Sequence, residues 1–432
     1  MRFITRISFI ILLITKLSAV GTAGAIFLLI APGAGPAGTG EAQVAKVDDA
    51  YASFYNPSGL AFLEGKEISL MHVNWLPNLA DDLFYDFLSY RHHVPQLGSF
   101  GGNFIILSLG EQAEMDEQGN YLGTFRSYMW ALTGSFGTKI SESSSIGVSA
   151  KIFNQKLFKK GVAGEGGSGT STDFAMDLGY LVKFNKFNFG TSITNIGPPI
   201  HFIDEEQADP APTNLKMGVN IELYNDEFNK LNFLFDMNKL LVASYPSMDW
   251  DGNGIIGGYD DIGHESPGAS FNIDGDEEMY HSDPWYLALV TSWLDDWYYG
   301  GDVDFDSDDI IGGYEFEDIN GNGVYDKDTE DIWEETNGVY NTEGIKELGS
   351  GDDRTVSTEF TESTYNLGLE YWYTEYFAIR AGFIYDQEGD IKVPTFGAGV
   401  RFSGYGVDFG YTAGEQGHPR SNTMFFSVNL EF

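Results

Sequence analysis

The stretch FFSVNLEF at residues 425–432 alternates apolar and polar side chains up to a final phenylalanine. Successive side chains of a β-strand point to opposite faces, so this pattern predicts a strand with one apolar and one polar surface. The apolar face carries Phe426, Val428, Leu430 and Phe432, and the polar face carries Ser427, Asn429 and Glu431.

The same two-residue period recurs upstream in thirteen further runs. Most of these runs approach the roughly 9 to 11 residues that a tilted strand needs to cross a bilayer. The even total of fourteen suits an antiparallel membrane barrel. With the last run, the predicted strands are 67–75, 84–92, 100–109, 124–139, 145–157, 172–184, 187–195, 214–223, 231–238, 361–373, 376–386, 393–402, 406–411 and 423–432.

The connections between these runs alternate in length, as expected for short periplasmic turns and longer external loops. Hydrocarbon offers no hydrogen-bond partners, so a spanning sheet must close on itself. We therefore predict an all-β fold, a 14-stranded antiparallel transmembrane β-barrel. The alternative is a soluble β-sandwich, but no amphipathic helical segment is present to cover the apolar faces. The short connections are 141–144, 185–186, 224–230, 374–375 and 403–405; the long ones are 111–123, 159–171, 196–213, 239–360 and 412–422.

The amino terminus has the layout of a secretory signal peptide, with Arg2 and Arg6, an apolar run and small residues up to Ala25. We predict residues 1–25 as the signal peptide, with cleavage after Ala25. The alternative is an uncleaved anchor helix, which Lys16 interrupts before it reaches spanning length. An exported barrel predicts localisation in the outer membrane of a Gram-negative bacterium, with the lipid bilayer as one partner.

The remaining organisation follows from the strands and from charge. Residues 26–66 precede the first strand, residues 67–238 hold strands one to nine, and residues 361–432 hold strands ten to fourteen. Between them, residues 239–360 form a long external insertion, and 31 of the 64 acidic residues lie between 246 and 360. The net charge of −40 argues against nucleic acid as a partner, because phosphates would be repelled.

The insertion contains a duplicated motif of the calcium-loop type, DWDGNGIIGGYD (249–260) and DFDSDDIIGGYE (304–315), with seven of twelve positions identical. Ligands of such a loop come from positions 1, 3, 5, 7 and 12. We predict structural calcium as a possible cofactor. The predicted side-chain ligands are Asp249, Asp251, Asn253 and Asp260 in the first copy, Asp304, Asp306, Asp308 and Glu315 in the second, and Asp318, Asn320, Asn322 and Asp326 in a third, less regular run.

Two features weaken the calcium interpretation. Asp309 stands where the second copy needs a turn glycine, and the third run has its closing carboxylate one position late, at Glu330. The alternative is an acidic loop without a specific metal. No catalytic motif with its required context is present, neither a GxSxG elbow nor a Walker loop nor an HExxH pair, so we predict no enzyme and no catalytic residues.

At GEAQVAKVDDAYASFYNPSGLAFLEGKEISLMHVNWLPNL (40–79) the chain resembles the PorV family of the type IX secretion system, which is itself similar in fold to FadL-type 14-stranded barrels. The likeness continues in FGGNFIILSLGEQ (100–112), TNIGPPIHFIDEEQADPAPTNLKMGV (194–219) and GHPRSNTMFFSVNLEF (417–432). It leaves out 246–282 and 299–358, where the duplicated acidic motifs lie.

The resemblance implies a component that binds secreted cargo proteins through a C-terminal sorting domain at the outer-membrane translocon. It would then pass them to a sortase-like attachment complex at the cell surface. It also implies a hatch in the lumen, an N-terminal plug whose Asn-Pro motif falls on Asn56, Pro57 and Gly59. The alternative is a FadL-like channel for hydrophobic small molecules.

Aromatic residues are candidate anchors for a protein partner. We single out Trp75, Trp285, Trp293 and Trp297, although for Trp75 we favour the aromatic girdle at the lipid boundary. The stretch PWYLALVTSW (284–293) predicts a short helix.

Overall fold

The computed structural model describes residues 23–80, 82–115, 121–157, 169–201, 208–245, 281–294, 340–341, 344–345, 356–387, 389, 391–414 and 422–432. These residues belong to two compact units. One unit runs up to Leu240 and resumes at Glu362–Phe432, and the other is Leu241–Thr361.

Fourteen antiparallel strands form a closed barrel in the first unit, which confirms the predicted fold class. Each strand pairs with its neighbours in chain order, and the last strand pairs with the first. The strands are β1 Lys66–Asn74, β2 Phe84–Val94, β3 Gly98–Met115, β4 Tyr121–Lys139, β5 Ser144–Lys156, β6 Thr170–Lys183, β7 Phe187–Ile196, β8 Asn214–Asn225, β9 Asn229–Leu240, β10 Thr364–Tyr373, β11 Phe377–Asp386, β12 Ile391–Phe402, β13 Tyr405–Thr412 and β14 Thr423–Glu431.

The barrel closes by pairing of β1 with β14, the strand that contains most of the stretch FFSVNLEF. The β1–β14 register runs from Glu67 opposite Glu431 to Val73 opposite Phe425. The ladder extends to the last residue, because the Lys66 amide donates to the Phe432 carbonyl over 3.0 Å and the Phe432 amide donates back over 2.9 Å. The closed sheet therefore leaves no strand edge unpaired, as hydrocarbon requires.

Alternation along the strands sorts apolar side chains to the outside and polar ones to the inside. On β14, Phe426 and Val428 are 53% and 51% exposed on the outer face, whereas Ser427 is buried. The apolar outer surface is the one that meets lipid.

The end of the barrel with the short connections, together with Lys66 and Phe432, is called the turn end here, and the opposite end the loop end. In outer-membrane barrels the short turns face the periplasm.

Strands β3 and β4 are longer than the sequence pattern predicts. Most of the expected loop at 111–123 is a hairpin extension, in which Glu111–Met115 pairs with Tyr121–Arg126 beyond a register shift. The shift falls at Gly110, whose φ is +72°, and the Asp82 carboxylate accepts the Glu111 amide over 2.8 Å. The bulge breaks the two-residue period, which is why the pattern seems to end before the strand does.

Residues 23–65, called the luminal segment here, precede β1 and lie inside the barrel against its inward-facing side chains. The segment contains a 3₁₀ helix Ile26–Leu29, α1 Ala34–Gly38, α2 Ala52–Tyr55 and a second 3₁₀ helix Pro57–Phe62. Nearly every residue of α1 and α2 is buried. Because a 14-stranded barrel is wide enough to hold a lumen, this segment supplies the apolar core that the wall alone lacks.

Trp75 belongs to that interior and not to the aromatic girdle that we favoured for it. Its side chain is 8% exposed, and its ring centroid lies 6.0 Å from that of Tyr85 in the hydrophobic core. The reason is register, since Trp75 continues the inward-facing series of Met71 and Val73.

The second unit contributes two short helices, α3 Trp285–Thr291 and α4 Val356–Thr361. Helix α3 confirms the short helix predicted from PWYLALVTSW. Two-residue ladders join Ser244–Tyr245 to His281–Ser282 and Tyr340–Asn341 to Gly344–Ile345. Among the described residues, no helix has the length and hydropathy needed to cross a membrane.

Candidate functional site: the filled lumen

The luminal segment packs on the barrel wall with backbone against backbone, and wall glycines make this possible. A Cβ on Gly147 of β5 would lie 2.2 Å from the Ser58 backbone nitrogen, and one on Gly179 of β6 would lie 2.2 Å from Asn56 Oδ1. No side chain fits at either position. Further wall glycines approach the segment from other strands, namely Gly101, Gly137, Gly190, Gly218, Gly368, Gly382, Gly397 and Gly410.

Asn56 joins two parts of the luminal segment to the wall. Its side-chain nitrogen donates to the carbonyl of Val44 over 3.0 Å and to that of Tyr180 on β6 over 3.2 Å. Its side-chain oxygen accepts the Ser58 backbone amide over 3.2 Å and the Ser58 hydroxyl over 2.5 Å. The residue is fully buried, so all of its hydrogen-bonding capacity is used inside the protein.

Pro57 and Gly59 complete the local structure around Asn56. Asn56 precedes the 3₁₀ helix Pro57–Phe62 as its N-cap, and Pro57 takes the first helical position, where its missing amide costs nothing. Gly59 packs against Val47, whose side chain would lie 2.4 Å from a Cβ at that position. The three residues singled out from the sequence therefore share one turn of the luminal segment, next to β5 and β6.

Inward-facing polar side chains of the wall bind the backbone of the luminal segment at several points. The Asp236 carboxylate accepts the amides of Gln43 and Val44 over 2.6 and 2.8 Å. The Ser427 hydroxyl accepts the Ala34 amide over 2.8 Å. These wall residues were not singled out from the sequence. Their position on the polar face of a strand indicates that they point into the lumen. It does not indicate which part of the luminal segment they bind.

A buried network of ion pairs links the luminal segment to β10, β11 and β13. Arg380 lies 2.8 Å from Glu370 and 2.8 Å from Asp408, and all three are 3% exposed or less. Lys46 of the luminal segment reaches the same Glu370 at 3.3 Å and Asp48 at 3.0 Å. Burial opposes the charge of Lys46, but Asp48 and Glu370 outweigh it, so the pKa of Lys46 lies above its ordinary value.

Two cavities lie at opposite ends of the described part of the lumen. The one at the turn end has a volume of about 410 Å³ and is lined by charged residues of the luminal segment and the wall. The one at the loop end has a volume of about 190 Å³ and includes Ile26, Leu29 and Lys216. The two cavities share no lining residue, and residues of the luminal segment line both of them.

Lys216 of β8 is a buried cation of the loop-end cavity. Its ammonium lies 4.7 Å from the ring centroid of Phe54 and 5.7 Å from that of Tyr55. Both rings belong to α2 of the luminal segment, so this cation–π contact is a further link between wall and segment.

The predicted calcium ligands between Asp249 and Asp326 all lie outside the described residues. Within the residues that are described, no group of three or more His, Cys, Asp or Glu side chains is arranged to hold a metal ion. Calcium binding therefore stays a prediction from the sequence.

The predicted aromatic anchors lie in different environments. Trp75 is buried in the barrel core, whereas Trp285 on α3 is 43% exposed. Trp293 follows α3, and its ring centroid lies 6.2 Å from that of Phe360 on α4. Trp297 lies outside the described residues.

Several solved structures are similar to this chain in fold. The toluene transporter TbuX of Ralstonia pickettii has a TM-score of 0.47 at 11% identity, and the alignment covers 94% of this chain and 100% of that one. A FadL homologue of Pseudomonas aeruginosa has a TM-score of 0.41 at 11% identity, with 92% and 98% covered. The toluene transporter TodX of Pseudomonas putida has a TM-score of 0.44 at 10% identity, with 91% and 95% covered.

None of the curated proteins compared with the chain matches it. A family model described as "Type IX secretion system protein PorV" matches residues 15–247, which is more than half of the chain and includes the luminal segment and β1–β9. The chain belongs to the PorV family of type IX secretion system proteins, and it is a β-barrel of the outer membrane.

Proposed function

We propose that this protein binds secreted cargo proteins at the outer-membrane translocon and passes them to the attachment complex at the cell surface. Cargo would be recognised through its C-terminal sorting domain. Membership of the PorV family makes the protein a component of type IX secretion. The role needs a stable carrier in the membrane and no catalytic residue.

The filled lumen is the observation that carries this proposal. Ten wall glycines, the hydrogen bonds of Asn56 and the ion pair between Lys46 and Glu370 hold the luminal segment against the wall. A barrel filled in this way serves as a platform for an external partner better than as a conduit. Cargo would therefore bind at the loop end, outside the lumen.

Exposed apolar side chains of α3 are candidates for contact with cargo. Trp285, Leu287 and Val290 are 43%, 47% and 64% exposed. Exposed aromatic and aliphatic groups of this kind are typical anchors of protein interfaces.

The alternative, a FadL-like channel for hydrophobic small molecules, requires a continuous apolar passage beside the luminal segment. The two described cavities have no lining residue in common, and the larger one is lined mainly by charged and polar groups. This alternative therefore has less support.

The experiment is deletion of the gene followed by surface proteomics, with the wild-type gene restored as the control. We expect proteins with C-terminal sorting domains to disappear from the cell surface and to return on complementation. A deletion strain that still displays these proteins but loses uptake of hydrophobic compounds would reverse the choice between the two functions.

A further inference from the structure

A polar pair interrupts the apolar outer face of the barrel on β1 and β2. His72 of β1 and Asp86 of β2 lie directly opposite each other in the strand register, and both point outward. His72 Nδ1 lies 2.6 Å from Asp86 Oδ1, and the two side chains are 59% and 42% exposed. Positions of this kind on a membrane barrel normally carry apolar side chains, because they face lipid.

The pair lies inside the apolar belt and not at its edge. Towards the turn end, the next outward residues of the same two strands are Leu70 and Leu88, which are 52% and 41% exposed. Towards the loop end, the outward series of β2 continues with Phe84, whose ring centroid lies 6.3 Å from that of His72. The pair therefore has apolar neighbours both above and below it along the strands.

The same pair lines a groove on the outside of the barrel. The groove has a volume of about 540 Å³. On the neighbouring strands, Phe426 of β14 is opposite His72 and Ile106 of β3 is opposite Asp86. The outward apolar residues of the groove are Leu70, Leu88, Phe104, Ile106, Phe426 and Val428. The groove thus combines an apolar surface with one polar pair.

Each member of the pair keeps one hydrogen-bonding atom unused. Their contact involves one ring nitrogen of His72 and one carboxylate oxygen of Asp86. Within the described residues, neither His72 Nε2 nor Asp86 Oδ2 has a hydrogen-bond partner. Hydrocarbon supplies none, and ionisable groups at membrane depth usually bind another polar group. The exposed pair therefore indicates contact with a second protein surface.

The arrangement of the two groups is complementary to itself. Copies of an outer-membrane barrel share one orientation, so two copies side by side are related by a twofold axis along the membrane normal. Such an axis keeps every residue at its depth and exchanges left and right. Because His72 and Asp86 are cross-strand neighbours at similar depth, His72 of each copy then faces Asp86 of the other.

We propose that this groove is the interface of a homodimer within the outer membrane, in which two copies of the chain pair through His72 and Asp86. Each imidazolium donates from Nδ1 to Asp86 of its own chain and from Nε2 to Asp86 of the partner subunit. Two cations and two carboxylates form a ring without net charge, surrounded by the apolar side chains of the groove. This face is distinct from the loop end, so the inference does not depend on the role in cargo binding.

The absence of cysteine from the chain makes a cross-linking test specific. Leu70→Cys places a single thiol in the groove. Leu369→Cys on β10, across the barrel, is the matched control, because Leu369 also faces outward and is 45% exposed. Cells produce two copies of the variant with different affinity tags, and their outer-membrane fragments are treated with a short bifunctional maleimide. We expect a product of twice the chain mass that carries both tags from Leu70→Cys and none from Leu369→Cys.

Two double variants in the Leu70→Cys background test the role of the pair. His72→Leu with Asp86→Leu removes both polar groups and suits the face to lipid, so the yield of linked dimer should fall at least about tenfold. His72→Asp with Asp86→His exchanges the two groups and keeps the face complementary to itself, so the yield should stay close to that of Leu70→Cys. The amount of folded barrel in the membrane is measured for each variant, and yields are compared per folded chain.

Several results would overturn the proposal. These are the absence of a doubly tagged product from Leu70→Cys, an equal yield from Leu369→Cys, or an unchanged yield after both polar groups are replaced by leucine. Loss of the product in the exchanged variant would show that the pair does not act through its charges. A product of another mass that carries only one tag would assign the groove to a different membrane protein.

Discussion

The side-chain amide of Asn56 donates a hydrogen bond to the backbone carbonyl of Tyr180, 3.2 Å away, and so ties the luminal segment to strand β6 of the wall. The same amide binds Val44, and its oxygen caps the helix that follows. One buried side chain thus holds two parts of the segment and the barrel together.

Replacement of Asn56 should loosen the luminal segment. Asn56→Ala removes the side-chain donor to the buried carbonyl of Val44, at a cost of about 1–3 kcal/mol for an unsatisfied buried group, and breaks the hydrogen bond to Tyr180 of β6. We expect higher conductance of the reconstituted protein in a planar bilayer. Asn225→Ala, at an exposed position next to the β8–β9 turn, is the control, and equal conductance in both variants would contradict the prediction.

A single methyl group on the wall should displace the luminal segment. In Gly147→Ala the added Cβ would lie 2.2 Å from backbone atoms of Pro57 and Ser58, so the segment must move. We expect faster hydrogen exchange within residues 34–60. The control is Gly134→Ala on β4, where no atom lies within 4 Å of the new Cβ. Exchange that is as slow as in Gly134→Ala would show that the packing tolerates the change.

Loss of Glu370 should destabilise the folded barrel. Glu370→Gln leaves Arg380 and Lys46 with less compensation in a buried site, which costs about 3–5 kcal/mol when one partner of a buried pair is removed. The measurement is denaturant unfolding followed by tryptophan fluorescence. Glu111→Gln breaks the exposed pair with Arg126 and should cost less than about 1 kcal/mol. Similar midpoints for the two variants would refute the role given to the buried network.

Stability should fall as pH rises because of Asp49. Burial, together with Glu67 and Asp48, raises the pKa of Asp49 from 3.8 to about 8. The folded state therefore binds this proton more tightly than the unfolded state does. The stabilisation is complete below a pH of about 4 and is lost as the pH rises through about 8.

The Asp49→Asn variant isolates this contribution, because asparagine has no proton to lose. Across that pH window, its unfolding free energy should decrease less than that of the wild-type protein. The measurement is denaturant unfolding of both proteins at a series of pH values. Parallel curves would mean that Asp49 titrates alike in the folded and unfolded states.

Calcium should bind the acidic insertion if the duplicated motif is a metal loop, which we propose from its ligand spacing. Titration of the full-length protein with calcium should release heat and saturate. A variant with Asp249, Asp251, Asp304 and Asp306 changed to alanine removes two ligands from each copy and should lose that signal. Absence of binding at millimolar calcium in the wild-type protein would leave the acidic-loop interpretation.

The strands were predictable because their signal is local. On β12, and on β14 from Phe426 onward, each outward apolar residue is followed by an inward small or polar one, and lipid on one side and a filled lumen on the other impose that alternation. The two-residue pattern did not predict the full length of β3, because the bulge at Gly110 interrupts the alternation. It also did not decide whether Trp75 faces the lumen or the lipid.

The site was predictable only in part. Asn56, Pro57 and Gly59 could be named because they match the Asn-Pro motif of the hatch that the family resemblance implies. Asp236, Glu370 and Arg380 could not be named, because their partners lie far away in the chain. Arg380 and Asp408 are on different strands, and only barrel closure and register bring them within 2.8 Å of each other.

The amino-acid sequence by itself determined the number of strands, their apolar outer face and the acidic character of the insertion, since each of these follows from neighbouring residues. Only the tertiary structure decided how the lumen is filled and which charges meet inside it. The physical reason is that a wall position requires glycine only because Pro57 or Val44, which lie far away in the chain, pack directly against it. Contacts between distant parts of the chain depend on strand register and closure, and these are properties of the whole barrel.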